Sequence, residues 1–458
     1  MAKGSSEMQD THDTDGDMRL SIDQAVRFAI ELQQKGQLDK AEGIYQDILG
    51  KIPGHPDALH FYGILEFQRN RTAQAIEKIS AAIAASPDYM DAHNNLGNIY
   101  MESRRLEEAE AEYRRTVELA PQHVGALNNL GTVLRALGRF NEAESIFRDT
   151  LKDHADFFPL HYNLGNLLYQ KGAEEEAVDH YFKAVVLDPD QSRSKIRLGL
   201  ALIKLGRRDE AEQVYRDWLE KEPDNPEARH MLAACSGEAV PGRAPDAYVK
   251  TLFNRFADSF EEQLNILEYK APEFVASAVA AHCGQPEHRL AILDAGCGTG
   301  LCGPLLKPFA SRLDGVDLSP GMLKKAGVSG LYDHLAESDL TEYIHRHHGV
   351  YDVIVAADVF CYFGDLEDVF AAAADAVRAG GRFVFSVERM DGDSAAKNAD
   401  YQIIPQGRYT HSEAYLRRIA DQNGWESESI RHEILRKEMG RPVEGLVVTL
   451  GKKSQKRS

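Results

Sequence analysis

A constant repeat period runs through the front half of the chain and restricts what that half can become. Prolines at Pro53, Pro87 and Pro121 are evenly spaced, and Pro189 and Pro223 continue the same interval, with Ala155 at the one vacant position. Small residues keep this phase at Ala29, Gly63, Gly97, Gly131, Gly165 and Gly199, and alanines at Ala41, Ala75, Ala109, Ala143, Ala177 and Ala211. Beyond each alanine, always at the same offset, come Tyr45, Ile79, Tyr113, Phe147, Tyr181 and Tyr215. A unit of about 34 residues holds two amphipathic helices that cannot bury their apolar faces alone, so neighbouring units must stack into a solenoid. The small residue lets the paired backbones approach, and the aromatic fills the gap to the next unit. The proline has no backbone N–H and stops the second helix. Six units from Ile22, with a closing helix in PEARHMLAACSG (226–237), predict an α-solenoid over residues 22–237.

All of these marks in one phase resemble the tetratricopeptide repeat family. In AHNNLGNIY, ALNNLGTVL and LHYNLGNLL, Asn95, Asn129 and Asn163 recur with that same period. A side-chain amide both donates and accepts, so a ladder of them could hold an extended protein or peptide backbone without reading its side chains. Such a ladder is similar to that of the eukaryotic O-GlcNAc transferase array, where it binds peptide. The plainer reading has the amides satisfying hydrogen bonds at helix ends or between repeats, and Phe61 and Arg197 interrupt the ladder at its two ends.

Residues 1–21 are polar and acidic, with no apolar segment behind them, and read as a disordered tail rather than a targeting signal. Residues 452–458 form a short basic tail. A net charge of −19 argues against a nucleic-acid-binding protein, which needs clustered cations to neutralise phosphates. No apolar run approaches the roughly 20 residues that span a bilayer, so no membrane partner is expected. Cys235, Cys283, Cys297, Cys302 and Cys361 form neither a CxxC pair nor a cluster with metal-ligand spacing. They read as reduced thiols of a cytoplasmic protein without a metal site.

After a Pro/Gly linker at 238–247 the periodicity changes. Residues 248–281 read as helix, within a helical cap assigned to 248–289. From 290 to 451 apolar strands (LAILDAG, RLDGVDL, YDVIVAAD, GGRFVFSVE) alternate with helical segments, which predicts a parallel α/β Rossmann-like sheet. RHEILR and EGLVVTLGKK, divided by a short polar loop, predict a terminal antiparallel hairpin.

The first of these strands runs into LDAGCGTGLCGPLL (293–306). Glycines at a strand-to-helix turn remove the Cβ atoms that would keep a ligand from the backbone. Two frames compete. Gly298, Gly300 and Gly303 match a dinucleotide G-x-G-x-x-G with Asp317 as the ribose acid. Alternatively, Asp294 ends the strand ahead of Gly296, Gly298 and Gly300. This second frame resembles the first motif of the class I S-adenosylmethionine methyltransferases, and further stretches resemble later motifs of that family. They are GVDLSPGML, AESDLTEYI, YDVIVAADVFCYF (with Asp352 ahead of its strand) and RAGGRFVFS. The resemblance implies that Asp294 and the glycines hold the methionine end of S-adenosyl-L-methionine. It further implies Asp317 on both ribose hydroxyls, Leu318 against the adenine, Asp339 accepting from the adenine amino group, Leu340 offering its backbone, and Asp358 beside the cofactor. From about Ile22 to Gly451 the chain resembles the bacterial repeat-fused predicted methyltransferases, whose substrate the likeness does not supply.

The acceptor side is less legible. The strand ending in AADVFCYF carries no D/N-P-P-Y/F sequence, which removes the usual support for methylation of base amino groups. Tyr409 and His411, just ahead of a helix, are candidates for catalysis, with His411 in the titration range of a general base or else ordering the turn before Ser412. Arg408, Arg436 and Glu438 are candidate substrate contacts. Phe256 and Phe260 are core packing or a cofactor lid, and Tyr248 is unassigned. The expected function is S-adenosylmethionine-dependent methyl transfer, with the repeat groove recruiting a protein or peptide. Two alternatives stand beside it: small-molecule O- or N-methylation with the repeats as a docking scaffold, and a non-enzymatic scaffold with a vestigial pocket.

Overall fold

The computed structural model describes residues 21–257, 260, 264, 267–390, 399–438 and 441–453. The expected acidic tail lies outside them except for Ser21, whose side chain caps the first helix in a reciprocal pair with Gln24. Of the expected basic tail, Lys452 and Lys453 are described. The chain forms two compact units, one up to Leu167 and one from Leu168 onward.

In the first unit the leading helices of successive repeats begin at Ile22, Pro56, Met90, Val124 and Phe158, and the second helices at Leu38, Thr72, Leu106 and Phe140. The second unit continues the period with helices from Glu174, Ser192, Arg208 and Pro226. The prolines stand just beyond Lys51, Ala85 and Leu119, where second helices end. The helix Phe140–Asp153 stops at the same phase although Ala155 replaces the proline. The stop therefore belongs to the turn, and proline reinforces it.

Two of the aromatic marks pack differently from the expectation. A Cβ on Gly97 would lie 2.7 Å from Cε1 of Tyr113, and one on Gly131 would lie 2.4 Å from Cε1 of Phe147. Whereas Tyr45 stacks on Tyr62 of the next repeat, Tyr113 and Phe147 thus fill the space above the glycine of their own. Tyr113 and Phe147 are buried there.

The second unit holds a nine-stranded sheet. Its strands are β1 (Leu290–Ala295), β2 (Ala310–Asp317), β3 (His334–Glu337), β4 (Tyr351–Ala356), β5 (Val377–Arg389), β6 (Tyr401–Ile403), β7 (Tyr409–His411), β8 (Trp425–Glu438) and β9 (Arg441–Lys452). The parallel core runs β3-β2-β1-β4-β5, so the strand order reverses between β1 and β4. Ligands of open α/β sheets bind outside the carboxyl ends of strands at such a reversal. The terminal hairpin is present, with β9 antiparallel to both β5 and β8.

Both faces of the sheet are covered, which explains the unbroken apolar runs of its central strands. Helix Ala271–Cys283 packs on one face against Ile292, Val353, Val384 and Val447. The other face buries Leu293, Ile354, Phe383, Phe385 and Trp425 with apolar residues of helices Leu340–His345, Glu367–Ala376 and Glu413–Gln422.

One expectation is revised. The predicted helix 248–281 is interrupted at 267–270, between helix Asp246–Phe256 with the helical residues 260 and 264 and helix Ala271–Cys283. Glu268 has φ +50° between them, and Pro272 opens the second helix, where its missing N–H leaves no gap in the hydrogen-bond ladder. Short strands β6 and β7 occupy a stretch to which the sequence assigns no element. At 3 residues each they are too short to show a period in the sequence.

Candidate functional site

The glycine turn follows β1 directly. Gly296, Gly298 and Gly300 have φ of +74°, +54° and +93°, a region that side chains disfavour. A Cβ on Gly296 would lie 2.5 Å from Cγ2 of Val359, whereas one on Gly298 would, among the described residues, meet Phe260 alone, at 3.9 Å. The middle of the turn therefore presents bare backbone beneath Phe260. Asp294 is buried below it and accepts from the Tyr332 hydroxyl at 2.6 Å. Burial pushes the Asp294 carboxyl up to about 7, with the nearby Asp317 charge adding to the rise and the Tyr332 hydrogen bond opposing it. Asp294 thus braces the turn from inside.

Asp317 closes β2. Its Oδ2 accepts from the Gly298 amide at 2.9 Å and its Oδ1 from the Ser319 amide at 2.8 Å. Burial raises this carboxyl, while the amide hydrogen bonds hold it down. Leu318 beside it is half-buried. Ser319 caps the helix Pro320–Val328, and its hydroxyl also donates to Asn254 Oδ1 at 2.7 Å. The helix Asp246–Phe256 is therefore attached to the tip of β2, and Lys250 pairs with Glu337 at the end of β3, 2.5 Å away.

Asp339 is the N-cap of the helix that starts at Leu340, with Oδ1 accepting from Glu342 N at 2.9 Å. Arg243 reaches within 2.8 Å of its Oδ2, yet that buried oxygen accepts no hydrogen bond of normal geometry. The Oγ1 of Thr299, in the glycine turn, is likewise buried without a partner. Orphaned buried polar atoms are uncommon in native proteins and are explained where a polar ligand completes them. Asp317 and Asp339, the glycine backbone and these orphans fit a nucleoside joined to an amino acid.

Beyond β4, Asp358 has φ +57°, and its amide donates to Ser386 Oγ at 2.8 Å. Its Oδ2 faces Arg436 Nη1 at 2.6 Å, and its Oδ1 is buried without a partner. Arg436 also binds Glu388 and, at 2.8 Å, Glu438, while Arg408 binds Glu388 at 2.6 Å and Glu438 at 2.9 Å. The three candidate substrate contacts are thus brought together with Asp358 and Glu388. Asp358, Cys361 and Glu388 lie close enough to suggest a cation site, but the Arg436 guanidinium already bonds both carboxylates. Glu388 was missed in the sequence; its signal is an acid near the end of an otherwise apolar strand.

Tyr409 and His411 do not line this region. Both are buried on β7, with the Tyr409 hydroxyl donating to Pro241 O at 2.7 Å and His411 Nε2 hydrogen-bonded to Gly364 O at 3.1 Å. Burial lowers the His411 pKa to about 4. A ring sealed from solvent and bonded to the backbone supports the turn rather than touching an acceptor, which corrects the catalytic expectation for both residues. Tyr248 is buried against His230, their ring centroids 4.5 Å apart, and His230 Nε2 meets Gly407 O at 2.8 Å. The closing helix of the repeats therefore packs directly on the α/β fold. The side chain of Phe256 lies outside the described residues.

Among the repeats, each asparagine of the ladder bonds to the preceding repeat. Asn95 Nδ2 lies 2.9 Å from His60 Nε2, Asn129 Nδ2 donates to Asn98 Oδ1 at 3.0 Å, and Asn163 Nδ2 donates to Asn128 Oδ1 at 2.8 Å. Asn98 Oδ1 also accepts from Tyr113 at 2.9 Å. The plainer of the two readings accounts for these contacts.

Residues 248–430 match a family described as methyltransferase domain, and residues 63–104, 88–154, 128–192 and 168–235 match tetratricopeptide repeat families. The chain is 35% identical over 112 residues to methyltransferase-like protein 27 of Homo sapiens, covering 24% of this chain and 44% of that protein. It is 29% identical over 155 residues to the ubiquinone biosynthesis O-methyltransferase of Thiobacillus denitrificans, covering 30% and 66%. The enzyme of that name from Escherichia coli K12 is 27% identical over 143 residues, covering 29% and 59%. Each match thus spans less than two thirds of the relative's own length. Among solved structures, the pilF protein of Pseudomonas aeruginosa is 20% identical with a TM-score of 0.41, covering 46% of this chain and 96% of that one. The type IV pilus biogenesis factor PilW is 19% identical with a TM-score of 0.43, covering 46% and 98%. No helix among the described residues is long and apolar enough to cross a membrane. The helix pairs of constant period and the reversed-order sheet with its glycine turn agree with the family matches: the chain is a tetratricopeptide repeat array joined to a methyltransferase domain.

Proposed function

We propose that the protein is a class I S-adenosylmethionine-dependent methyltransferase whose repeat array recruits a protein or peptide, as substrate or partner. The observation that carries the reading is the Asp317 carboxylate, docked on the Gly298 amide at the reversal of strand order. Gly298 and Gly300 would admit the methionine end, Asp317 would accept from the ribose hydroxyls, and Asp339 would accept from the adenine amino group through Oδ2, beside its ion pair with Arg243. When bound, the cofactor supplies a methyl group on a positively charged sulfur. The chain's own part is to align a nucleophile with that methyl and to keep water away, and such positioning provides much of the rate enhancement in reactions of this kind. Phe260, close over Gly298, is suited to exclude water.

A second reading, small-molecule O-methylation with the repeats as a docking scaffold, is favoured by the ubiquinone biosynthesis relatives and by the inter-repeat bonding of Asn95, Asn129 and Asn163. One experiment separates these readings from a scaffold with a vestigial pocket. The full chain is incubated with methyl-labelled cofactor and cell extract, and label is followed into protein and into small molecules, with cofactor binding measured by calorimetry. Label in protein supports the proposal, label confined to small molecules supports the second reading, and no binding of cofactor rejects both.

A further inference from the structure

The linker between the repeats and the α/β fold is not a free tether. Gly242 O accepts from Gly364 N at 2.8 Å and from Asp365 N at 2.7 Å, Ala244 N donates to Tyr362 O at 2.8 Å, and Arg243 and Phe363 form an antiparallel bridge. The linker backbone is therefore held as a short ribbon along the segment that follows β4. From this ribbon the Arg243 guanidinium lies over the Phe363 ring, 5.0 Å from its centroid, contacts Asp246, and approaches Asp339 Oδ2 to 2.8 Å.

Asp339 is consequently held from two sides. Its Oδ1 accepts the helix-cap hydrogen bond from Glu342, and its Oδ2 is drawn to a guanidinium whose own backbone is fixed. A carboxylate restrained at both oxygens has little freedom to rotate. Oδ2 is buried, and its contact with Arg243 is an ion pair that misses ordinary hydrogen-bond angles. A carboxylate oxygen carries two lone pairs, so Oδ2 can accept from a further donor beside that ion pair.

We propose that Arg243 is a positioning residue for base recognition: from the linker, it orients Asp339 so that Oδ2 accepts the exocyclic amino group of adenine. The inference rests on the reading of Asp339 as the adenine acceptor. It implies that the selectivity of the cofactor site is set partly from outside the methyltransferase sheet, by the segment that joins the site to the repeats.

The test uses the full-length protein, calorimetry and two ligands, S-adenosylhomocysteine and its inosine analogue, in which a carbonyl replaces the amino group. Recognition of the amino group predicts that the wild type prefers the adenosyl ligand by about tenfold or more, the value of one charge-assisted hydrogen bond. In Arg243→Ala the adenosyl affinity should fall and the preference shrink to about threefold or less, while the inosine analogue binds within twofold of the wild type. That unchanged affinity also shows the variant to be folded. An Arg243→Ala preference equal to the wild type's, or tighter adenosyl binding because Arg243 merely blocked the site, overturns the proposal. If Arg243→Ala loses both ligands, Arg243→Lys decides: a preference below the wild type's supports the positioning role, and an equal one overturns it. A wild type that binds both ligands equally rejects the adenine role of Asp339 itself, and one that binds neither rejects the cofactor reading.

Discussion

Asp317 accepts a hydrogen bond from the Gly298 amide at 2.9 Å, which ties the tip of β2 to the centre of the glycine turn. Its second oxygen is bonded to the Ser319 amide at 2.8 Å. Replacing Asp317→Ala removes both anchors together with the proposed acceptor of the ribose hydroxyls. Hydrogen bonds to a charged group contribute about 1.5–3 kcal/mol each, so affinity for S-adenosylmethionine should fall about 100-fold or more. Calorimetry on a variant with wild-type circular dichroism measures this, and a Kd within threefold of wild type would refute the ribose assignment.

Gly296 and Gly298 share a positive φ but not their surroundings. An alanine at either position meets a backbone penalty of about 1–2 kcal/mol. At Gly296 the new Cβ would also lie 2.5 Å from Cγ2 of Val359, whereas at Gly298 it would, among the described residues, meet Phe260 alone, at 3.9 Å. Overpacking adds about 1–3 kcal/mol. Gly296→Ala should therefore lose more unfolding free energy in urea than Gly298→Ala, and Val359→Ala should restore part of the difference. Equal losses would show that Val359 moves aside freely.

The same contact logic applies in the repeats, where the backbone term has the opposite sign. Gly131 lies within a helix, and a Cβ there would be 2.4 Å from Cε1 of the fully buried Phe147. Overpacking costs about 1–3 kcal/mol against a helix-propensity gain of about 1 kcal/mol, so Gly131→Ala is expected to destabilise the array by up to about 2 kcal/mol. Adding Phe147→Leu should recover part of that loss, in contrast to the independent behaviour of distant sites. Thermal unfolding of the two single variants and the double variant checks this.

Asp294 predicts a pH dependence. An exposed carboxyl of this kind titrates near 3.8 in the unfolded chain, whereas burial brings the folded one to about 7. Between these values the folded state holds the extra proton. The stability linked to this group is therefore complete below about pH 4, is lost as pH rises to about 7, and stays constant above that. At about 1.4 kcal/mol per unit, the wild type should lose up to about 4 kcal/mol relative to Asp294→Asn across that range. Denaturant unfolding of both proteins at pH 4.5, 6 and 7.5 reads the slope, and parallel curves would place Asp294 in a wetter site than the structure gives it.

The helices of the repeats and the central strands were legible because their signals are local and periodic. A stripe of alanine and aromatic residues at one constant period, or an apolar run ending in an acid and glycines, states its own conformation. The expected order of glycine turn, Asp317 and Asp339 along the chain became adjacency at the carboxyl ends of β1, β2 and β3, since parallel strands joined by crossovers align their ends. The terminal hairpin followed in the same way from two apolar runs separated by a short loop.

Contacts between residues far apart in the chain left no such trace. Asp358 and Arg436 are 78 positions apart, and although each stands out in the sequence, nothing there pairs them until β5, β8 and β9 bring them to one end of the sheet. His411 has the composition of a general base, and only its packing beneath Gly364 removes it from solvent and from that role. The asparagines recur as a peptide ladder would, yet the direction of each amide was decided by the repeat in front of it. The sequence by itself determined which segments form helices and strands and where the backbone is bare, because those properties depend on neighbours along the chain. The tertiary structure decided which polar groups face one another and which are left without a partner, because burial and charge pairing depend on neighbours in space.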